Sequence, residues 1–308
     1  MKEAILVIVN PSSGKSNGIK NWAAIKPLLV TRGMEFHCVL TTQPKDATIF
    51  TKKNIEKGYR KILVIGGDGT LNEVVNGIMT QKACGSLDIS LALIPNGTGN
   101  DFGRNFKLTN QTEAIIDLLR VDQKQTIDLG LVHYRNEKAS QKTYFINMLG
   151  FGFDVAVTKN VNELAKKGYK SVLSYLYCMI KTVIDYKKQD VTIVLDGKEH
   201  HFPKTFSICI ANGKYHGGGV PQAPNADPSD GKFHITTLHD LKNLEAFLNL
   251  PQFYSGKFMD KYFASELIGK NIELLCKNSV EVELDGEILD GKVKSIEIIP
   301  QAINFIRP

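Results

Sequence analysis

Up to Leu131, strand-like apolar runs alternate with helical stretches; beyond it the chain changes to short two-periodic strands joined by hairpin turns. No other feature limits the available folds as much. The first part reads "AILVIVN", a helix through 22–29, "EFHCVLT", a helix around 47–56, "KILVIGG", a helix through Leu71, "ISLALIP" and a helix through 114–119. Such βα repetition predicts a parallel sheet, and the β-branched run at 62–65 suits a strand buried on both faces. The second part, with "VTIVLDGKEHHF", "FSICIAN", "FHITTLH", "IELLCKN" and "VEVELDGEI", predicts antiparallel β structure. Two helical interruptions fall at about 159–188 and 244–255. A chain of 308 residues with 43% apolar content is long enough for two cores. No low-complexity linker separates the parts, so they are expected to join directly and enclose a cleft.

Two loops after strands carry most of the chemistry. In "KILVIGGDGTLNEVVNG", at 61–77, a strand enters a glycine-rich turn and then a helix, with Leu71, Val74, Val75 and Ile78 at helical spacing. Backbone amides and the helix dipole there suit a phosphate. Asp68 is an acid in the place of the anion. It holds a metal or a ribose hydroxyl, or it caps the helix, and the local pattern leaves both open. A Rossmann fingerprint fails because Asn72 stands where the third glycine belongs after Gly67 and Gly69. A P-loop fails in "NPSSGKS", because Val9 stands where its first glycine belongs. The second loop, "ALIPNGTGNDFGRNF" at 92–106, brings Asp101 to another strand end. One such loop alone reads as an Asx turn; two neighbouring ones, each with a carboxylate, suit Mg²⁺ and a nucleotide.

Composition narrows the class of partner. No apolar stretch has bilayer-spanning length and the start reads as a strand and turn, so a cytoplasmic protein is expected. Cys38, Cys84, Cys178, Cys209 and Cys276 show no C-x-x-C spacing and are read as packing residues. The formal charge of +6 permits an anionic partner. No helix-turn-helix, zinc-finger or aromatic RNP-like signature accompanies the lysines, which argues against nucleic acid.

The motifs "NPSSGK", "GGDGTLNEVVNG", "PNGTGNDFGR", "IDLG", "GGGVPQAPNADPSDG" and "LDGE" occur in an order that resembles the diacylglycerol kinase and sphingosine kinase type lipid kinases, particularly the soluble bacterial ones. The resemblance spans nearly the whole chain. It implies an NAD-kinase-like α/β domain with a parallel sheet at 1–130, completed by about 296–308 as the last strand returns. An antiparallel β-sandwich domain at 131–295 would carry the base and the lipid site. ATP would lie against Asn10, Pro11, Ser12, Ser13, Gly14, Thr41, Gly66, Gly67, Asp68, Gly69, Thr70, Leu71, Asn72, Glu73 and Thr98. Asp68, Asp101 and Asp128 would organise Mg²⁺, with Asp68 and Asp101 also counted as catalytic. A second, structural Mg²⁺ would be held by Asp230 with the loop near Asp227 and Lys232.

Glu287 carries opposite readings. By pattern it only begins the return strand after the Asp285-Gly286 hairpin turn; the resemblance makes it the general base that takes the lipid hydroxyl proton. By pattern, too, Asp227 and Asp230 form an ordinary turn, and His216 is a loop residue beside glycines. In the helical stretch at 162–188, the stripe Val172, Leu176, Met179, Ile180 and Val183 predicts packing on a core. Lys15, Lys166 and Lys167 are expected to meet anionic lipid.

The expected activity is ATP-dependent phosphorylation of a lipid hydroxyl, diacylglycerol to phosphatidic acid, by a cytoplasmic protein peripherally bound to the inner face of the membrane. Alternatives are an NAD kinase-like enzyme on a soluble substrate and a non-catalytic nucleotide-binding regulator. A homodimer is left open.

Overall fold

The computed structural model describes residues 2–109, 111–169, 171–275 and 281–308. The chain divides into two compact units, Met1–Asp128 with Gln301–Pro308, and Leu129–Pro300.

The first unit contains β1 (Lys2–Val9), α1 (Ser13–Ser16), α2 (Gly18–Thr31), β2 (Phe36–Leu40), α3 (Asp46–Glu56), β3 (Tyr59–Gly66), α4 (Asp68–Thr80), β4 (Ser90–Pro95), α5 (Asp101–Asn105), α6 (Thr112–Val121) and the start of β5 (Gln125–Arg135). The last residues of the chain join this sheet beside β4, with Asn304 opposite Ser90, and β3, β1 and β2 follow, every neighbour parallel. Leu6 to Val9 and Ile62 to Ile65 are wholly buried, as strands covered on both faces must be. The register sets Val9 opposite Ile65 and Gly66 opposite Pro95. Three strands therefore end level, and the loops after them open on one edge of the sheet. That is where open α/β sheets hold ligands.

The second unit is antiparallel, a β-sandwich with helices. It contains the rest of β5, then β6 (Ser140–Phe145), β7 (Met148–Gly152), α7 (Phe153–Lys166), α8 (Val172–Asp185), β8 (Gln189–Leu195), β9 (Lys198–Ala211), β10 (Phe233–His239), α9 (Asn243–Leu248), α10 (Leu250–Ser255), β11 (Ala264–Gly269), β12 (Asn271–Leu274), β13 (Val282–Leu284), β14 (Glu287–Ile288) and most of β15 (Lys292–Ile306). Its longest internal strand, β9, pairs with β8 along its first half and with β7 and β10 along its second. Phe145, Phe151, Ile193, Ile208, Phe233 and Val282 belong to the core between the strands. A second core gathers Phe153, Val157, Met179, Val183, Phe206 and Phe258 beneath the helices.

Met179 and Val183 pack as their stripe predicts, while Leu176 and Ile180 are half-buried. The side chain of Val172, like that of Lys15, lies outside the described residues, as does Cys276. Cys178 and Cys209 are buried and Cys38 and Cys84 half-buried, all as free thiols. No helix among the described residues is long and apolar enough to cross a membrane.

Candidate active site

The three loops at the sheet edge are joined by side-chain amides. Asn10 donates through Nδ2 to Thr70 Oγ1 at 2.9 Å, while its Oδ1 accepts from the Ser12 amide at 3.0 Å. Asn96 donates to Ser13 Oγ at 2.8 Å and accepts from Asn21 Nδ2 at 2.6 Å. Ser13 Oγ in turn donates to the Asn10 carbonyl at 2.7 Å. Between the second and third loops the contact is backbone on backbone. A methyl group on Gly67 would come within 3.0 Å of Gly97 Cα, and one on Gly97 within 2.7 Å of Gly67 Cα. Any side chain there would force the loops apart.

That approach brings two acids together. Asp68, the first residue of α4, accepts the backbone amides of Asp101 at 3.1 Å and Phe102 at 3.0 Å, one on each oxygen. It therefore caps α5, a helix from the other loop, rather than its own. Asp101 Oδ1 lies 3.7 Å from Arg104 Nε. A methyl group on Gly99 would meet Asp101 Oδ2 at 2.9 Å and Asp68 Oδ2 at 3.4 Å, so both carboxylates flank the Gly99 α-carbon. Among the described residues no group of three or more His, Cys, Asp or Glu side chains forms a cage. Two hard oxygen donors beside phosphate-ready amides nonetheless fit Mg²⁺, which keeps several waters and takes its remaining ligands from substrate phosphates. Asp128, fully buried on β5, accepts the Gln301 amide at 2.7 Å.

Other residues of the expected nucleotide set have structural tasks. The Leu71 side chain is wholly buried beneath α4. Glu73 accepts the Lys45 amide at 2.8 Å and the Ala47 amide at 3.1 Å, and so anchors the first turn of α3. The Thr41 amide donates to the Val9 carbonyl at 3.0 Å, which places Thr41 beside the end of β1.

In the second unit, β13 and β14 form a hairpin whose two turn residues, Asp285 and Gly286, have φ of 47° and 90°. Asp285 points inward and accepts three backbone amides, from Ile146 at 2.9 Å, Asn147 at 3.0 Å and Met148 at 2.9 Å. It anchors the turn. Glu287 opens β14 on the exposed side. The Asp227–Lys232 stretch is a run of Asx turns: Asp227 Oδ1 accepts the Ser229 amide at 3.0 Å, and Asp230 Oδ1 the Lys232 amide at 3.0 Å. Asp230 Oδ2 also lies 3.5 Å from His234 Nε2, whose Nδ1 is 2.9 Å from Glu266. These oxygens would suit a hard cation, and the turns already account for their geometry.

An apolar cavity of about 50 Å³ lies under the helices, lined by Phe153, Met179, Val183, Phe206, Phe253 and Phe258. Asp154 is its charged wall residue. It accepts from Ser207 Oγ and from Gln222 Nε2 at 3.0 Å. Burial pushes its pKa up, while His216 and the Ser207 hydrogen bond pull in the other direction. Sequence reasoning passed over Asp154, Asn96 and Glu283. Asn96 stands inside a quoted motif, so its side-chain amide was a signal; Asp154 follows "LGFGF", where no periodicity marks an acid.

Residues 4–132 match the model of the diacylglycerol kinase catalytic domain, and residues 147–307 that of the YegS C-terminal NAD kinase beta sandwich-like domain. The chain is 28% identical over 292 residues to "Putative lipid kinase YtlR" of Bacillus subtilis (strain 168), which covers 92% of each. It is 26% identical over 305 residues to the diacylglycerol kinase of Mycobacterium tuberculosis (strain ATCC 25618 / H37Rv), covering 99% of this chain and 95% of that one. The fold matches the crystal structure of "a putative diacylglycerol kinase" from Bacillus anthracis str. Sterne with a TM-score of 0.77 and 26% identity, over 99% of this chain and 98% of that one.

Proposed function

This chain belongs to the diacylglycerol kinase type lipid kinase family, and on that premise we propose that it transfers the γ-phosphoryl group of ATP to the hydroxyl of a diacylglycerol, yielding phosphatidic acid. The observation that carries the reading is the Gly67–Gly97 contact, which sets Asp68 and Asp101 around Gly99 at the ends of β3 and β4. Phosphoryl transfer asks mainly for alignment and charge neutralisation, and this edge of the sheet offers both.

Asn10, Ser13, Gly14, Thr41, Thr98 and the backbone of 66–72 would line the nucleotide. Asp68, Asp101 and Asp128 would hold Mg²⁺, which neutralises the phosphates when bound. Glu287 would take the proton of the attacking hydroxyl. Asp230, with the carbonyls near Asp227 and Lys232, would hold a second, structural Mg²⁺. The acyl chains would enter by the apolar cavity under α7–α10, which must widen to admit them.

We place the enzyme peripherally on the cytoplasmic face of an anionic membrane. Leu173, Tyr177 and Ile184 on α8 and Leu244 and Leu248 on α9 are 58–77% exposed, beside exposed Lys166, Lys167 and Lys181. Exposed apolar residues together with exposed cations suit a bilayer with negative headgroups.

Purified protein with labelled ATP, Mg²⁺ and a lipid panel in mixed micelles tests the activity, with NAD as a soluble acceptor alongside. Label in phosphatidic acid is the expected result. Label in NAD alone, or nucleotide binding with no transfer to any acceptor, would overturn it.

A further inference from the structure

Glu283 has no part in the proposed transfer, yet it is wholly buried two residues before the Asp285-Gly286 turn. Sequestering a carboxylate costs several kcal/mol unless its charge and lone pairs are met. A valine or leucine would fill the same strand position without that cost. The room for it is made by Gly150, its partner across β7, where a methyl group would come within 2.7 Å of Glu283 Oε1. One oxygen is hydrogen-bonded and the other lies beside an imidazole without an aligned hydrogen bond. Oε2 accepts the Gly286 amide at 2.8 Å, and Oε1 lies 3.1 Å from His216 Nε2.

Gly286 is the second turn residue, and its amide lies outside the hairpin's own β13–β14 residue pairing, Leu284 with Glu287. Left to solvent, the Asp285-Gly286 peptide could rock. Asp285 fixes the turn from one side through the amides of Ile146, Asn147 and Met148. We propose that Glu283 is a positioning residue for the base: its carboxylate, steadied by His216, fixes the Gly286 peptide and thereby the direction in which Glu287 leaves the turn. This rests on the reading of Glu287 as the base. It predicts a role in turnover for a residue that does not touch ATP, metal or lipid.

The test compares Glu283→Leu, Glu283→Asp and Glu283→Gln in the full chain, measuring kcat, KM for ATP and melting temperature, alone and combined with Glu287→Gln. Glu283→Leu removes the acceptor and Glu283→Asp withdraws it while keeping a carboxyl group beside His216. Each should lower kcat by about tenfold to a hundredfold with KM for ATP changed by less than about twofold. Glu283→Gln keeps an oxygen for the Gly286 amide and should recover most of the rate. On top of Glu287→Gln the Leu and Asp changes should cost nothing more, since the group they position is gone.

Should the Leu variant fail to fold, the Asp variant and its combination carry the same comparison. Three results would overturn the proposal: wild-type turnover in a folded Glu283→Asp, a loss that tracks melting temperature, or a loss that multiplies with that of Glu287→Gln. Wild-type turnover in Glu287→Gln alone would remove the base reading as well, whereas a slow Glu287→Gln beside a fast Glu283→Asp removes only the positioning role.

Discussion

Asp68 combines two readings that its motif leaves open. It is a cap, because both oxygens accept amides at the start of α5, and a carboxylate that accepts one amide on each oxygen can also ligate a metal or its waters. Asp68→Ala should therefore lower the melting temperature, by an amount corresponding to about 1 kcal/mol for the lost cap, and should also abolish Mg²⁺-dependent transfer. Melting temperature and specific activity measured on the same preparation separate the two effects; a cooler melt with intact specific activity would leave only the cap. Glu287→Gln preserves size and hairpin, so turnover should fall by about two to four orders of magnitude while nucleotide binding survives. Near wild-type turnover would end the assignment. Asp154 gives a pH signature. Burial raises its folded pKa above the usual 3.8, so the folded state binds a proton that the unfolded chain has released. Its contribution to stability is complete below that usual value and is lost as pH rises through the folded pKa. Asp154→Asn should then raise the melting temperature at neutral pH relative to wild type, and the gain should shrink in acid; a constant difference across the titration would contradict this.

The elements most legible in the sequence were those with one long period: β3 and α4 follow from a buried apolar run and four apolar residues at helical spacing. Short or interrupted elements were not. The helix α5 carries no period of its own, since its five residues follow Asn100 in the left-handed region and hold too few apolar side chains to show one. The stretch read as one helical interruption is two helices, α7 and α8, parted near Gly168, whose φ is 91°. Strict alternation along "VEVELDGEIL" would put Glu283 on the polar face with Glu281. Glu281 is exposed, but Glu283 is buried, because the residue opposite it is a glycine and no strand pattern reports its partner. The outer face of α8 was missed for the converse reason. The packing stripe through Met179 and Val183 accounts for the helix, so Leu173, Tyr177 and Ile184 passed as incidental. Substituting Leu173, Tyr177 and Leu248 together by Ser should weaken binding to anionic vesicles by about tenfold or more and spare activity on a short-chain, water-soluble diacylglycerol. Flotation and the soluble assay check this. Equal losses in both would mean the face supports the fold, and a shift in mass by sedimentation would mean it joins two copies.

The last eight residues tie the chain's end to the chemistry near its beginning. Residues 301–308 belong to the first unit, and β15 changes unit where Gln301 takes a φ of 50°. Sequence resemblance implied a return at about 296; the later changeover falls at a residue whose left-handed backbone interrupts an extended run, which a strand pattern does not report. Phe305 is wholly buried, with its ring 5.3 Å from that of Phe102 and 5.4 Å from that of Phe106. Phe102 is also the residue whose amide Asp68 holds. A chain ending at Pro300 would lose the strand beside β4, the aromatic packing behind α5 and the amide that Asp128 accepts. Removing Phe305 alone costs about 3–5 kcal/mol by analogy with other core phenylalanines, comparable to much of a domain's stability. The truncated protein should lose the cooperative melting of its first unit and with it ATP binding, while the second unit's β-rich circular dichroism persists. Limited proteolysis should then cut the first unit and leave a fragment that begins near Leu129. If the truncated chain instead bound ATP normally and resisted protease throughout, the returning strand would be dispensable, and the position of α5 and its link to Asp68 would have to be held by the remaining four strands alone.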